Sequence, residues 1–285
     1  LKLIFVKMDN EDDAYILFET LNTRGKDLSL TDLVKTYITK LLKTKSASID
    51  QTKIKWNHML ETIEGSTAEL STDSFIHHFW LSRYDYLPAK GLFKELKRKV
   101  GKTDAKKFLE DLVADAVLYR GIHEVSFGNW NKQERRIADA LRALQLFRVV
   151  QPTPCVLSFL RAYKGKKIKM KVIKDAIVVI EKFHFLFTAV TSQRSSGGIS
   201  GMYAALGRRL FEATDNTTAL AIISDLKDKL RERVPSIEEV KALFPEMLYT
   251  KSLTKHRNLI KYILSGLDKS GSTGVTVDKD AMTIE

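Results

Sequence analysis

Apolar residues recur at helical spacing along almost the whole of this chain, and few breakers interrupt them: five prolines and 14 glycines in 285 residues. Proline removes a backbone donor and glycine adds conformational freedom, so their scarcity favours long helices over a turn-rich β fold. Ala14, Leu17, Phe18 and Leu21 sit at i, i+3, i+4 and i+7, the stripe of a helix buried on one side. Ser29 followed by Asp32 reads as a capping box that opens a helix through Leu33, Tyr37, Ile38 and Leu41. Further helices are expected around 49–64, 72–85, 89–100, 103–121 and 131–148. Another starts at Pro152 and Pro154, where a missing N–H costs nothing.

The segment from Val172 to Val190 is apolar nearly all round and belongs inside a bundle. Lys174, Asp175, Glu181, Lys182 and His184 interrupt it, so it cannot serve as the roughly 20 apolar residues a membrane span needs. Gln193 to Gly201, with three glycines and three serines, reads as a loop. Helices resume over 202–214, 217–233, 236–244 and 254–267. Leu1 to Val6 has strand character, and Val275-Thr276-Val277 is the other strand candidate. The expected fold is mainly α: a bundle of about a dozen helices with a short N-terminal strand remnant.

Composition narrows function. Cys155 is the single cysteine, which excludes a disulfide framework within the chain and a multi-thiolate zinc site. Its neighbours Val156, Leu157, Phe159 and Leu160 point to a core thiol. With no signal peptide or membrane span legible, the chain is expected to be cytoplasmic and not to engage a membrane. Lysine and arginine number 47 against 35 acids, a net charge of +12 that draws polyanions, nucleic acid foremost. The excess is clustered. Lys90 to Lys107 carries eight basic residues against Glu95 and Asp104, and Arg161 to Lys174 carries seven with no acid. The candidate DNA-contacting residues are Lys164, Lys166, Lys167, Lys169 and Lys171, joined by Arg194, Arg208 and Arg209 around the glycine-serine loop. Amides at a helix N-terminus there would face an anion. The plainer alternative is a solvated lysine surface beside an ordinary loop.

Asp73 and His77 lie at i and i+4 with His78 beside them, a spacing that suits a metal but supplies no third ligand. Hydrogen-bonded, partly buried histidines are the expected outcome there, and likewise for His58 near Glu61 and for His184. No phosphate loop or nucleophile elbow is present, so neither a catalytic residue nor a metal site is expected.

One segment carries a resemblance. Ala14 to Lys35 includes Phe18-Glu19-Thr20-Leu21-Asn22-Thr23-Arg24-Gly25, then Leu28-Ser29 and Asp32-Leu33-Val34-Lys35. It resembles the F-E-x-L-N-x-R-G-x-x-L-S-x-x-D-L-x-K signature of the GmrSD-type modification-dependent restriction endonucleases and related phage-defence proteins. Members of that family join a ParB-like (sulfiredoxin-like) nucleotide-hydrolysing domain, a helical region and an HNH-type nuclease domain. Leu259 to Leu264 and the closing Met282-Thr283-Ile284-Glu285 resemble the lead-in to the nuclease motif, where T-I-E precedes H-I-L-P. The family's D-G-Q-Q-R motif is expected upstream of Leu1 and its nuclease His and Asn downstream of Glu285. The resemblance therefore implies a helical connector, truncated at both ends and inactive alone, with no cofactor of its own. A nucleoside triphosphate and a divalent metal would belong to the parent protein, and DNA and the parent's other domains would be the partners. The implied boundaries are 1–28 as the end of a ParB-like domain, 29–267 as the helical domain and 268–285 as a mobile lead-in to the nuclease. Within the motif Phe18, Leu21 and Leu28 read as packing residues, together with Leu33, and Gly25 as a helix-ending glycine with φ > 0. Asn22 and Arg24 either cap and pair locally, Arg24 with Glu19 or Asp32, or reach a nucleotide or the neighbouring domain. A helical protein-interaction scaffold without DNA contact is the alternative from a different class.

Overall fold

The computed structural model describes residues 29–43, 48–192, 197–250 and 256–271, and among them it contains twelve α-helices and no strand. In chain order these are α1 (Leu30–Leu42), α2 (Ser48–Glu64), α3 (Thr72–Leu81), α4 (Ala89–Lys99), α5 (Ala105–His123) and α6 (Arg135–Leu146). They continue as α7 (Thr153–Lys164), α8 (Met170–His184), α9 (Gly197–Glu212), α10 (Asn216–Arg231), α11 (Ile237–Leu243) and α12 (Arg257–Gly271). A π-helical turn, Phe185–Val190, extends α8, and a 3-10 turn, Phe244–Glu246, follows α11. The expected mainly-α bundle is what the chain forms. The strand candidates at Leu1–Val6 and Val275–Val277 lie outside the described residues, as do Phe18, Glu19, Leu21, Asn22, Arg24, Gly25 and Leu28.

Side-chain oxygens mark several helix starts. Ser29, Ser71, Asp215 and Ser236 each accept from a backbone N–H two or three residues into the helix that follows, satisfying a donor the helix cannot. At α1 a second cap arrives from α3. The Asp73 carboxylate accepts from the Leu30 and Thr31 amides at 3.2 and 2.8 Å and from the Thr31 hydroxyl at 2.5 Å. The first turns of two helices distant in sequence are thereby locked together.

One hydrophobic core runs from Val34 of α1 to Leu230 of α10 and includes Trp56, Phe75, Phe79, Trp80, Leu92, Leu112, Leu157, Phe159, Ile177 and Tyr203. Helix α7 is at its centre, and every residue from Thr153 to Leu160 is buried. Its closest neighbour is α9, and Gly207 permits the approach. A Cβ there would lie 3.1–3.3 Å from backbone atoms of Pro154 and Cys155.

Two sequence expectations need correction. The glycine-rich stretch expected to be a loop is helical from Gly197 onward, because burial of Ile199 and Met202 against the core outweighs the weak helix propensity of glycine. The long apolar segment does not stay α-helical to Val190. At Phe185 it passes into a π turn, where the Thr191 amide donates to Leu186 O at 3.0 Å and the Phe183 and Phe187 rings stack at 4.9 Å.

Candidate nucleic-acid interface

Helix α7 ends on a tightly specified turn. The Lys166 amide donates to Tyr163 O at 2.9 Å and the Lys167 amide to Ala162 O at 2.8 Å. That pair of bonds is a Schellman motif, with Lys166 at the left-handed position (φ 59°) that glycine usually fills. Gly165 sits one residue too early to relieve it. The turn is also tied down from outside. Lys167 Nζ donates to Ala213 O at 3.0 Å, Asn216 Nδ2 donates to Lys167 O at 2.9 Å, and Ile168 is buried beneath. A lysine in a strained backbone position is thus held on a rigid platform.

The candidate residues divide. Lys166, Lys169 and Lys171 are exposed and make no side-chain hydrogen bond or ion pair among the described residues. Lys164 reaches 3.2 Å to Glu134, a buried carboxylate at the start of α6. Burial alone would raise Glu134, but the Asn131 amide, Lys164 and Tyr163 hold it below the usual range. Arg208 pairs with Asp85, and Arg209 pairs with Asp225, which Lys229 also contacts at 2.8 Å. The two arginines therefore spend much of their charge inside the molecule. Arg194 lies outside the described residues.

Beside the α7–α8 turn lies a buried ionic cluster of which the charge runs of the sequence include only Arg161, bound here to Asp115. Asp115 of α5, 2 % exposed, accepts from Arg83 Nη2 at 2.9 Å and from Arg161 Nε and Nη2 at 3.1 and 2.5 Å. Arg83 Nη1 also reaches Asp111 at 2.7 Å. Arg161 donates to Ser82 Oγ at 2.9 Å, and Ser158 Oγ donates to Ser82 O at 2.9 Å. The Arg83 guanidinium is sandwiched between Phe79 and Phe211, 4.4 and 4.7 Å from their centroids. Four elements meet on these charges: the end of α3, α5, α7 and α9. Both Asp115 oxygens are engaged by guanidinium donors, an arrangement that fixes register between helices. A sequence signal exists. Phe108, Leu112, Asp115 and Tyr119 share one face of α5, and a charge within an apolar stripe requires a partner.

Three of the histidines, His77, His78 and His184, are bound into the fold. His77 Nε2 lies 2.8 Å from Leu87 O, and His78 Nδ1 lies 3.1 Å from the Tyr119 hydroxyl. His184 joins Thr188 Oγ1 at 2.9 Å and the Tyr203 hydroxyl at 3.0 Å. Asp73, at metal-ligand spacing from His77, is occupied with capping α1. Among the described residues no three His, Cys, Asp or Glu side chains are grouped to hold a metal. His58, expected to be partly buried, is instead exposed, as is Glu61, and Cys155 is buried with its thiol pushed well above its ordinary range by burial. A pocket of about 20 Å³ between His123, Gln145, Thr153 and Val156 has room for one water. No helix among the described residues is long and apolar enough to cross a membrane.

No protein-family model matches this chain, and no curated protein matches it.

Proposed function

We propose that this chain is the central helical region of a prokaryotic DNA-restriction or phage-defence endonuclease, and that it holds DNA by the phosphate backbone at the α7–α8 turn. The observation that carries DNA contact is the trio Lys166, Lys169 and Lys171. These are exposed, without internal partners among the described residues, and arranged around a turn pinned from both sides. Lysines act as point charges toward phosphate and read no base edges, so the contact positions DNA without specifying sequence. The endonuclease context rests on the likeness of Ala14–Lys35 to the GmrSD-type signature. On that basis nucleotide hydrolysis and strand cleavage belong to other modules of the parent, and this region couples them.

Two variants test the contact. Changing Lys166, Lys169 and Lys171 together to Gln should make the log–log salt slope of duplex binding shallower by about 2.7, at roughly 0.9 for each phosphate no longer neutralised. Lys166→Gly should do two opposite things. It relieves the left-handed strain and stabilises the fold by about 1 kcal/mol, while weakening DNA binding. A lysine kept only for helix-end electrostatics would give the stability gain with no change in binding. An unchanged slope in the triple variant would remove the DNA reading.

A protein-interaction scaffold has one observation in its favour. Helix α11 has no buried residue, and Val234, Ile237, Phe244 and Leu248 around it are exposed. Absence of DNA binding at low salt from a chain with an intact fold would favour this second reading.

A further inference from the structure

The α4–α5 corner presents a second set of lysines. Helix α4 buries Leu92, Phe93 and Leu96, which turns Lys90, Lys94 and Arg98, spaced four residues apart, to the outside. Lys102 follows in the turn and Lys106 in the first turn of α5, both exposed. Arg98 is engaged by Glu95 and Lys107 by Asp111. Lys90, Lys94 and Lys102 make no side-chain hydrogen bond or ion pair among the described residues.

About seventy residues separate this corner from the α7–α8 turn, yet the fold links them through a short chain of contacts. Asp85 lies between Lys99, whose Nζ is 3.5 Å away, and Arg208 of α9. Five residues further along, roughly 7.5 Å at the helical rise, Ala213 O receives Lys167 Nζ. The path from Lys99 to Lys167 is therefore three long side chains, the Asp85 carboxylate between two of them, and about one and a half helical turns. That is within about one turn of B-form duplex, roughly 34 Å. Charges along the path cancel locally: Asp85 and Glu212 offset Lys99 and Arg208. Uncompensated positive charge is left at the two ends.

We infer that the Lys90, Lys94, Lys102 corner and the Lys166, Lys169, Lys171 turn form one bipartite footprint for a nucleic-acid duplex, two clusters of phosphate contacts spanning about a helical turn with an electrically quiet middle. The inference rests on the proposed DNA contact at the α7–α8 turn and extends it. A bipartite contact has a length requirement that a single patch lacks. Duplexes too short to reach both clusters engage only one, and the second contact raises affinity once the span is met.

Fluorescence anisotropy with the full chain tests this, using duplexes of 6, 10, 14 and 20 base pairs at several salt concentrations. The variants are Lys90→Gln/Lys94→Gln/Lys102→Gln and Lys166→Gln/Lys169→Gln/Lys171→Gln, each with a thermal midpoint to confirm the fold. The salt slope of the wild-type chain should steepen between 6 and 14 base pairs and then level. Each triple variant should lower the slope on 14 base pairs by about 2.7 and abolish the steepening. If the α4–α5 variant keeps the wild-type slope while the α7–α8 variant reduces it, the second cluster is solvated surface and only the bipartite footprint falls. If neither variant changes the slope, the DNA contact itself falls with it. Equal affinity for phosphatidylserine vesicles at the same salt would also overturn the assignment to nucleic acid.

Discussion

Lowering the pH from 7 to 5 is expected to remove on the order of 5 kcal/mol of folding stability, the larger part of what a domain of this kind possesses. Three buried histidines are the cause. His78 is held down to about 3, first by burial and then by the nearby charges of His123 and His77. His123 and His184 are each held down to about 4 by burial. Above pH 6.5 these rings are neutral in both the folded and unfolded chain, and stability is independent of them. Below 6.5 the unfolded chain binds protons that the folded chain refuses. Stability therefore falls with pH through the interval from 6.5 to about 4, then levels as the folded rings titrate. At pH 5 each histidine contributes a loss of about 2 kcal/mol. Carboxylates held low by ion pairs act in a different window. Glu124, drawn down to about 2 by Arg120 and Ser66, matters only below about pH 4.5. Urea midpoints at pH 7, 6 and 5 and constant ionic strength measure the effect, and His184→Gln should flatten the profile by about a third. A midpoint that stays constant over this range would show that the rings are hydrated or protonated in the fold.

The second large effect is at Asp115. Its removal leaves Arg83, 4 % exposed, and the largely buried Arg161 without their shared counter-charge. Breaking a buried pair from one side costs more than the pair contributes, because the remaining charge cannot regain its hydration. Asp115→Ala should destabilise by about 3–5 kcal/mol. Combining Asp115→Leu with Arg83→Met should cost less than the two single changes added together, because the Arg83 charge that Asp115→Leu deprives of its partner is absent from the double variant. Additive losses would mean that the cluster is reached by solvent and that helix packing alone sets the register.

The helical architecture is legible in the sequence because its cause is local. The apolar spacing from Leu33 to Leu41, the Ser29 cap and the prolines at the start of α7 each fix a helix within a few residues. Gly197 to Gly201 reads as a loop because local propensity favours one, while burial of Ile199 acts through neighbours distant in sequence. The π turn at Phe185 is hidden for the same reason. Apolar spacing reports which faces are buried, not whether the ladder shifts from i−4 to i−5. The candidate interface is half visible. Charge clustering finds Lys166, Lys169 and Lys171, but nothing local shows that Arg208 and Arg209 face Asp85 and Asp225. Nor does it show that Lys166 adopts the left-handed position one residue after Gly165. Asp115 is legible in principle, as a charge on the apolar stripe of α5. Its partners Arg83 and Arg161, 32 and 46 residues away, are not.

Salt titration of the wild-type chain against a 20-base-pair duplex of mixed sequence is the sharpest single test of the view that this bundle holds DNA through backbone charge. With the three phosphate contacts of the α7–α8 turn, raising salt from 50 to 200 mM should weaken binding by at least about fortyfold along a straight log–log line, with little change between unrelated sequences. Binding that is flat across that range, or absent at 50 mM from a correctly folded chain, would contradict it.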